Sequence, residues 1–442
     1  MMSNDIDHVN PNNDKNPGGL RAARVLWLLF TLFILYGILI PFKLVDSFDA
    51  LATNIARSAL VPFMDPDGTR ISIPDAVQNV LLFIPFGFFG FLSLKSHKLF
   101  RVVIVTILGV LFSICVEILQ LLTVERTSSI NDVITNGVGT FLGVILAGVV
   151  LIVLAQLTHS YWFQIHGRLK TLYPVLVGMI FILLGAFQPF DFTLDVGSVW
   201  GSVKGFIKDP LGFTTLLKDE LVVLWRFVLF AYVMALFFRE AEHDFSLIKG
   251  FIIVMLLGVV GEGCQFIILS RSPTVQDIVV VLVGSVCGVI LAGTQACLRE
   301  ISRGALVIAV AVVTFVCAGV QLLHPFRLSD AYRMINMFPF LSYYERTTFM
   351  ALSNFIESAM LFFPSCFVLH TILADGRSPR VAILIITLLI AVPLELAQGA
   401  IAGRYPDVTD ILGALLGAIA ASWCCSEGWR AFDRYMRSVT KY

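Results

Sequence analysis

Residues 117–132 read EILQLLTVERTSSIND, residues 262–277 read EGCQFIILSRSPTVQD and residues 395–410 read ELAQGAIAGRYPDVTD. Each stretch opens on a glutamate, with a glutamine three residues on, an arginine after nine and an aspartate after fifteen. The positions are Glu117, Gln120, Arg126 and Asp132; Glu262, Gln265, Arg271 and Asp277; and Glu395, Gln398, Arg404 and Asp410. Each of these residue types makes up roughly a few per cent of ordinary chains, so three matches at one spacing mark an internal repeat rather than chance. Other landmarks keep the same phase. Pro41-Phe42, Pro189-Phe190 and Pro325-Phe326 lie upstream of the three motifs. Gly139, Gly284 and Gly417 follow the three aspartates by seven residues, and Gly143, Gly288 and Ala421 come four later.

Outward from the motifs the chain is apolar. Hydrophobic residues make up 57% of the 442 and charged residues 14%, against roughly 25% charged in soluble domains. That composition excludes a soluble globular domain. A bilayer core takes about 20 apolar residues per helix. On that measure spans are predicted at 24–42, 75–94, 100–122, 132–155, 172–190, 218–238, 249–269, 275–297, 304–323, 350–373, 380–401 and 408–426. The expected fold is an all-α integral membrane protein of about twelve transmembrane helices, built as three parallel four-helix repeats over 21–158, 168–298 and 302–428. An even number of helices gives each copy the same orientation. Polar tails flank them at 1–20, expected to be disordered, and at 429–442. No small-x-small cleavage site follows the run from Val25 to Ile40, so it is read as an uncleaved first helix.

Lys and Arg total 31 and Asp and Glu total 31, so bulk charge offers no reason to expect nucleic acid as a partner. The short loops on one side each carry at least two cations, as at Lys95, Lys98 and Arg101 or at Arg239 and Lys249. Those on the other side carry one each: Arg126, Arg271 and Arg404. The positive-inside rule then places both termini in the cytoplasm and the three motifs outside.

Within each motif the glutamate and glutamine share a helix face. A carboxylate at this depth normally faces the bundle interior with a partner. The arginine on the turn and the aspartate at the start of the next helix are the nearest candidates, and Asp132 is also placed to cap that helix. One reading is a salt-bridged staple on a helical hairpin, and nothing more. The other is a polar site. The first copy favours a site, because it adds Asn136 where the others have Val281 and Ala414, and Asn79 ahead of Phe83-Ile84-Pro85-Phe86-Gly87. Arg226 in the second copy, and Asn354 and Glu357 in the third, either complete degenerate versions of that site or pair within the core. The histidines and cysteines show no metal-ligand spacing, so no metal or other cofactor is expected. The loops after the first helix of a repeat look amphipathic, as at Phe48–Leu60 and at 199–217, which suits a helix lying in the membrane interface or a lid over the bundle.

At these residues the chain resembles the VanZ-like family of small bacterial membrane proteins with about four helices per domain. The resemblance rests on Asn79 with Phe83-Ile84-Pro85-Phe86-Gly87, then Glu117, Gln120, Arg126, Asp132, Asn136 and Gly139; Asn336-Met337-Phe338-Pro339-Phe340 looks like the family's Asn-x-x-Pro-Phe segment. It implies a bacterial plasma-membrane location and a cell-envelope role, since the named member is associated with resistance to teicoplanin, a lipidated glycopeptide. The expected activity is binding or processing of a lipid or lipid-linked glycan headgroup at the outer leaflet, with or without a reaction. The alternative is a transporter or flippase with a path between the three repeats. Transporter sites usually lie near the midplane, whereas these charges lie at the outer helix ends.

Overall fold

The computed structural model describes residues 17–64, 68–124, 126–159, 172–193, 195–211, 217–242, 246–271, 273–294, 301–341, 347–373 and 378–425. Most of the two expected tails, and inner-loop cations such as Arg168 and Arg377, lie outside the described residues. The described chain is helical, with isolated backbone bridges in its loops. The helices are α1 (Pro17–Leu39), α2 (Phe48–Ala56), α3 (Ile73–Ser93), α4 (Lys98–Leu121), α5 (Ile130–His159), α6 (Leu172–Phe187), α7 (Val196–Lys208), α8 (Leu217–Glu242) and α9 (Ser246–Cys264). The remainder are α10 (Val275–Gly293), α11 (Arg303–Leu323), α12 (Thr348–Leu373), α13 (Pro379–Gln398) and α14 (Val408–Cys424). Among the described residues nine helices are long and apolar enough to cross a membrane, and two shorter apolar ones join them at Gly178–Phe187 and Val408–Cys424. α8 adds a further helix of 26 residues.

The side chains distinguish a lipid face from a protein face. On α4, Val103, Ile107, Leu111, Ile114 and Ile118 form one exposed stripe, each at least 40% accessible. The opposite face buries Arg101, Val105, Gly109, Ser113, Val116 and Glu117. An apolar stripe of that length is stable against lipid and a liability in water. The protein is a polytopic all-α membrane protein.

The long helices fall into three groups, α1-α3-α4-α5, α6-α8-α9-α10 and α11-α12-α13-α14. In each group the first and fourth helices both pack on the second and third. Small residues set the tightest contact, between the second and fourth helices. A Cβ added at Gly139 would sit 2.3 Å from the Val80 carbonyl oxygen, at Gly284 2.9 Å from that of Leu224, and at Gly417 2.3 Å from that of Ala359. This close approach of backbones is the usual use of small residues between membrane helices. It also fixes the register: Val80, Leu224 and Ala359 are equivalent, and so are the in-helix prolines Pro85 and Pro364.

α12 joins the groups. It touches α1 and α3 of the first group and α6 and α8 of the second. Thr347 donates to Gln78 at 2.6 Å, and the Tyr36 hydroxyl donates to the Pro339 carbonyl at 2.8 Å. Leu361, Phe362, Phe363 and Phe367 on α12 are buried in the largest apolar cluster.

Candidate functional site

Each motif builds the same loop. The first helix of a group ends at a cis peptide before Pro41, Pro189 or Pro325, and the next residue, Phe42, Phe190 or Phe326, has a positive φ of 64°, 66° or 59°. The chain then turns back beside the end of the third helix. The antiparallel bridges Leu44–Thr123, Phe192–Ile268 and Leu328–Ile401 join the two segments. The motif arginine reaches across to the carbonyls that the first helix leaves without intrahelical partners. Arg126 donates to Gly37 at 3.4 Å, Arg271 to Gln188 at 3.0 Å, and Arg404 to His324 at 2.7 Å and Gln321 at 2.8 Å.

The glutamate holds the other end of the hairpin. Glu117 Oε2 accepts the Ser129 N–H at 2.7 Å, and Glu395 Oε1 accepts the Asp407 N–H at 2.6 Å. Both N–H groups lie twelve residues after their glutamates. The glutamines of the second and third motifs donate back to their own glutamates, Gln265 to Glu262 at 3.0 Å and Gln398 to Glu395 at 2.9 Å. The helix cap falls three residues before the expected one. Ser129, Thr274 and Asp407 supply the capping oxygens. Asp132, Asp277 and Asp410 lie inside the first turn, past the extended backbone a cap requires.

In the first group these elements, together with Thr347 and Thr348 at the start of α12, line a cavity of about 260 Å³. Asn79, Glu117, Gln120, Arg126, Asp132 and Asn136 all line it. Glu117 and Asn136 are only 5% and 4% exposed. Asn79 donates to Asp132 at 2.9 Å, and Asn136 donates to Ser113 at 2.9 Å. Three buried oxygens make no hydrogen bond: Glu117 Oε1, Gln120 Oε1 and Asn136 Oδ1. Ile34, Ile38, Leu82 and Phe83 supply the apolar wall.

At some of the equivalent positions the other two groups carry larger side chains. Register equates Ala76 with Glu220 and Phe355, Leu82 with Arg226 and Leu361, and Gly37 with Gly185 and Gln321. In the second group Arg226 lies across Gly185, where an added Cβ would meet its Nη1 at 2.9 Å. In the third group Phe355 stacks edge-on against Phe340, with ring centres 5.3 Å apart.

Arg226 and Glu357 follow the second of the two readings that the sequence leaves open, and the counterpart of Asn79 in the third group is neither Asn354 nor Glu357. Arg226 and Glu357 belong to different groups yet meet each other, 3.5 Å apart, and Gln188 and Gln321 both donate to Glu357. This is a core pairing between groups. The third-group counterpart of Asn79 is Ser358, which donates to Asp410 at 2.6 Å. Asn79 and Ser358 each precede an in-helix proline by six residues, a signal the sequence does contain. Sequence reasoning also missed Asn131, 4% exposed, whose side chain grips the Phe63 N–H and the Met64 carbonyl. Thr409 does the same for the Phe340 N–H. Phe63 and Phe340 share a φ of 64° and follow Pro62 and Pro339, so Ala59–Phe63 is the first-group form of Asn336–Phe340. Among the described residues no group of histidines, cysteines and acids could hold a metal ion.

A family model described as VanZ/LLP1 matches residues 25–153 and 304–430, which cover most of the first and third helix groups. No curated protein and no solved structure matches the chain. The matched segments make up more than half of the chain and carry the hairpin, the aspartate contact and the small-residue contact described above. The chain belongs to the VanZ/LLP1 family.

Proposed function

We propose that this protein acts in the cell envelope by binding or processing the headgroup of a lipid or lipid-linked glycan in the first-group cavity. On this reading it resides in a bacterial plasma membrane with both termini cytoplasmic and the hairpins at the outer leaflet. Residues 21–158, 168–298 and 302–428 are three VanZ-like repeats, of which the first binds and the others provide structure. The supporting observation is the cavity itself, with buried polar oxygens that lack partners. A buried polar group left without a hydrogen bond costs about 1–3 kcal/mol, so a ligand that supplies the bond gains by it. The apolar packing of α12 at the junction of the groups favours this reading over a transport path between them.

Ala76→Phe tests it. The substitution copies Phe355, which occupies the same register in the third group, and it adds a ring to the cavity lining at a position outside the motif. Native mass spectrometry of the full-length protein should find co-purified lipid on the wild type and little on Ala76→Phe, with both melting within a few degrees of each other. Identical lipid occupancy in the two proteins would sink the proposal.

A further inference from the structure

Most of the cavity's unmet hydrogen-bonding atoms are acceptors. Glu117 Oε1, Gln120 Oε1 and Asn136 Oδ1 are acceptors, and all three residues line the cavity. Its charge has the same bias, with carboxylates from Asp75, Glu117 and Asp132 against the single guanidinium of Arg126. The complementary ligand group therefore donates hydrogen bonds and is positive. An ammonium has three donors and no acceptor. Beside the cavity runs an apolar shelf. Asn131, in the cavity wall, holds the Phe63 N–H, and Leu60, Val61 and Phe63 in that loop are 69%, 58% and 62% exposed. Such a shelf suits acyl chains beside the headgroup.

We infer that the first-group cavity binds the primary ammonium headgroup of a membrane lipid, an ethanolamine phospholipid being the simplest example. The inference rests on the headgroup-binding reading above and narrows it. Glu117, Gln120 and Asn136 receive the ammonium, and Arg126, in the same wall, faces the lipid phosphate. A choline headgroup carries the charge but has no N–H to donate. A glycerol headgroup donates but carries no positive charge.

The test titrates full-length protein in a non-ionic detergent with short-chain phosphatidylethanolamine, phosphatidylcholine and phosphatidylglycerol, read by native mass spectrometry. Ethanolamine lipid is expected to bind about ten-fold more tightly than the other two, as one or two charge-assisted hydrogen bonds would provide. Gln120→Met removes one acceptor and should reduce that preference several-fold, and Ala76→Phe should abolish binding of all three. Equal binding of the choline or glycerol lipid, still blocked by Ala76→Phe, would overturn the ammonium inference and leave the headgroup site standing. Binding of every lipid that ignores Ala76→Phe would overturn both. Glycerophosphoethanolamine, which lacks acyl chains, should displace the lipid only weakly; displacement at equal concentration would assign the site to a soluble amine and overturn the lipid assignment.

Discussion

The first and third helix groups share one backbone and use it differently. Both clip the hairpin with a buried glutamate that takes an N–H twelve residues on, and both join the second helix to the fourth through a side chain that donates to the motif aspartate. Around that common frame the first group has Gly37, Ala76 and Asn136, where the third has Gln321, Phe355 and Ala414. The first group lines a polar cavity, and the third sets the larger Gln321 and Phe355 side chains at two of the corresponding positions. The shared motif thus accounts for the hairpin, and the cavity comes from the residues that differ.

The largest expected effect follows from this division. Glu395 is 1% exposed, and its two oxygens satisfy the Asp407 N–H and the Gln398 amide. Glu395→Ala strands both donors in a packed interior and should cost about 3 kcal/mol, read as a large drop in melting temperature or a failure to accumulate. Glu117→Ala exposes the Ser129 N–H to a cavity that can admit water, and should cost about half as much. Equal destabilisation by the two variants would break the contrast between a packed group and an open one.

Much of this frame was legible in the sequence. The span positions, the three hairpins and the phase of the Pro-Phe turns follow from local patterns of hydropathy and spacing, and all of those are properties of one segment at a time. The contact between Arg226 and Glu357 was not legible, because it depends on which groups lie side by side, and local periodicity carries no such information. Asn354 and Glu357 drew attention as polar residues near the expected place, yet register assigns the role of Asn79 to Ser358. A short hydroxyl suffices there because the helices are held close at Gly417. Six polar residues of the first group are legible in the sequence and line one cavity; Ala76, whose small side chain leaves room in the same lining, is not legible, since absence of bulk has no motif.

A second, smaller effect concerns the floor of the cavity. Asn136 donates to Ser113, and in the second group the same two positions are Val281 and Gly258. There the valine methyl occupies the space above the glycine, 2.4 Å from where a Cβ would stand. Asn136→Val alone places a branched carbon against the Ser113 side chain and removes its partner, for an expected cost of about 2 kcal/mol. Adding Ser113→Gly should recover about 1 kcal/mol of that loss. The double variant is then the folded protein with which to ask whether Asn136 contributes to lipid binding. Strict additivity in a thermal-denaturation cycle would show that the two groups do not share this contact.

The smallest effect is expected where the groups are most alike. Asn79→Ser gives the first group the residue that the third uses at Ser358. The donor is shorter, but the helices it must bridge are equally close: the added-Cβ distance is 2.3 Å at both Gly139 and Gly417. Serine at 79 should therefore still donate to Asp132, and stability should change by less than about 1 kcal/mol because a hydrogen bond to a carboxylate is exchanged for another of the same kind. What serine does not supply is the amide oxygen that Asn79 brings to the cavity lining. If the cavity reads headgroups through its acceptors, Asn79→Ser should weaken ethanolamine-lipid binding by a few-fold while the melting curve barely moves. A matched fall in binding and stability would mean that Asn79 serves the frame alone, as Ser358 does, and that the two groups differ only in bulk.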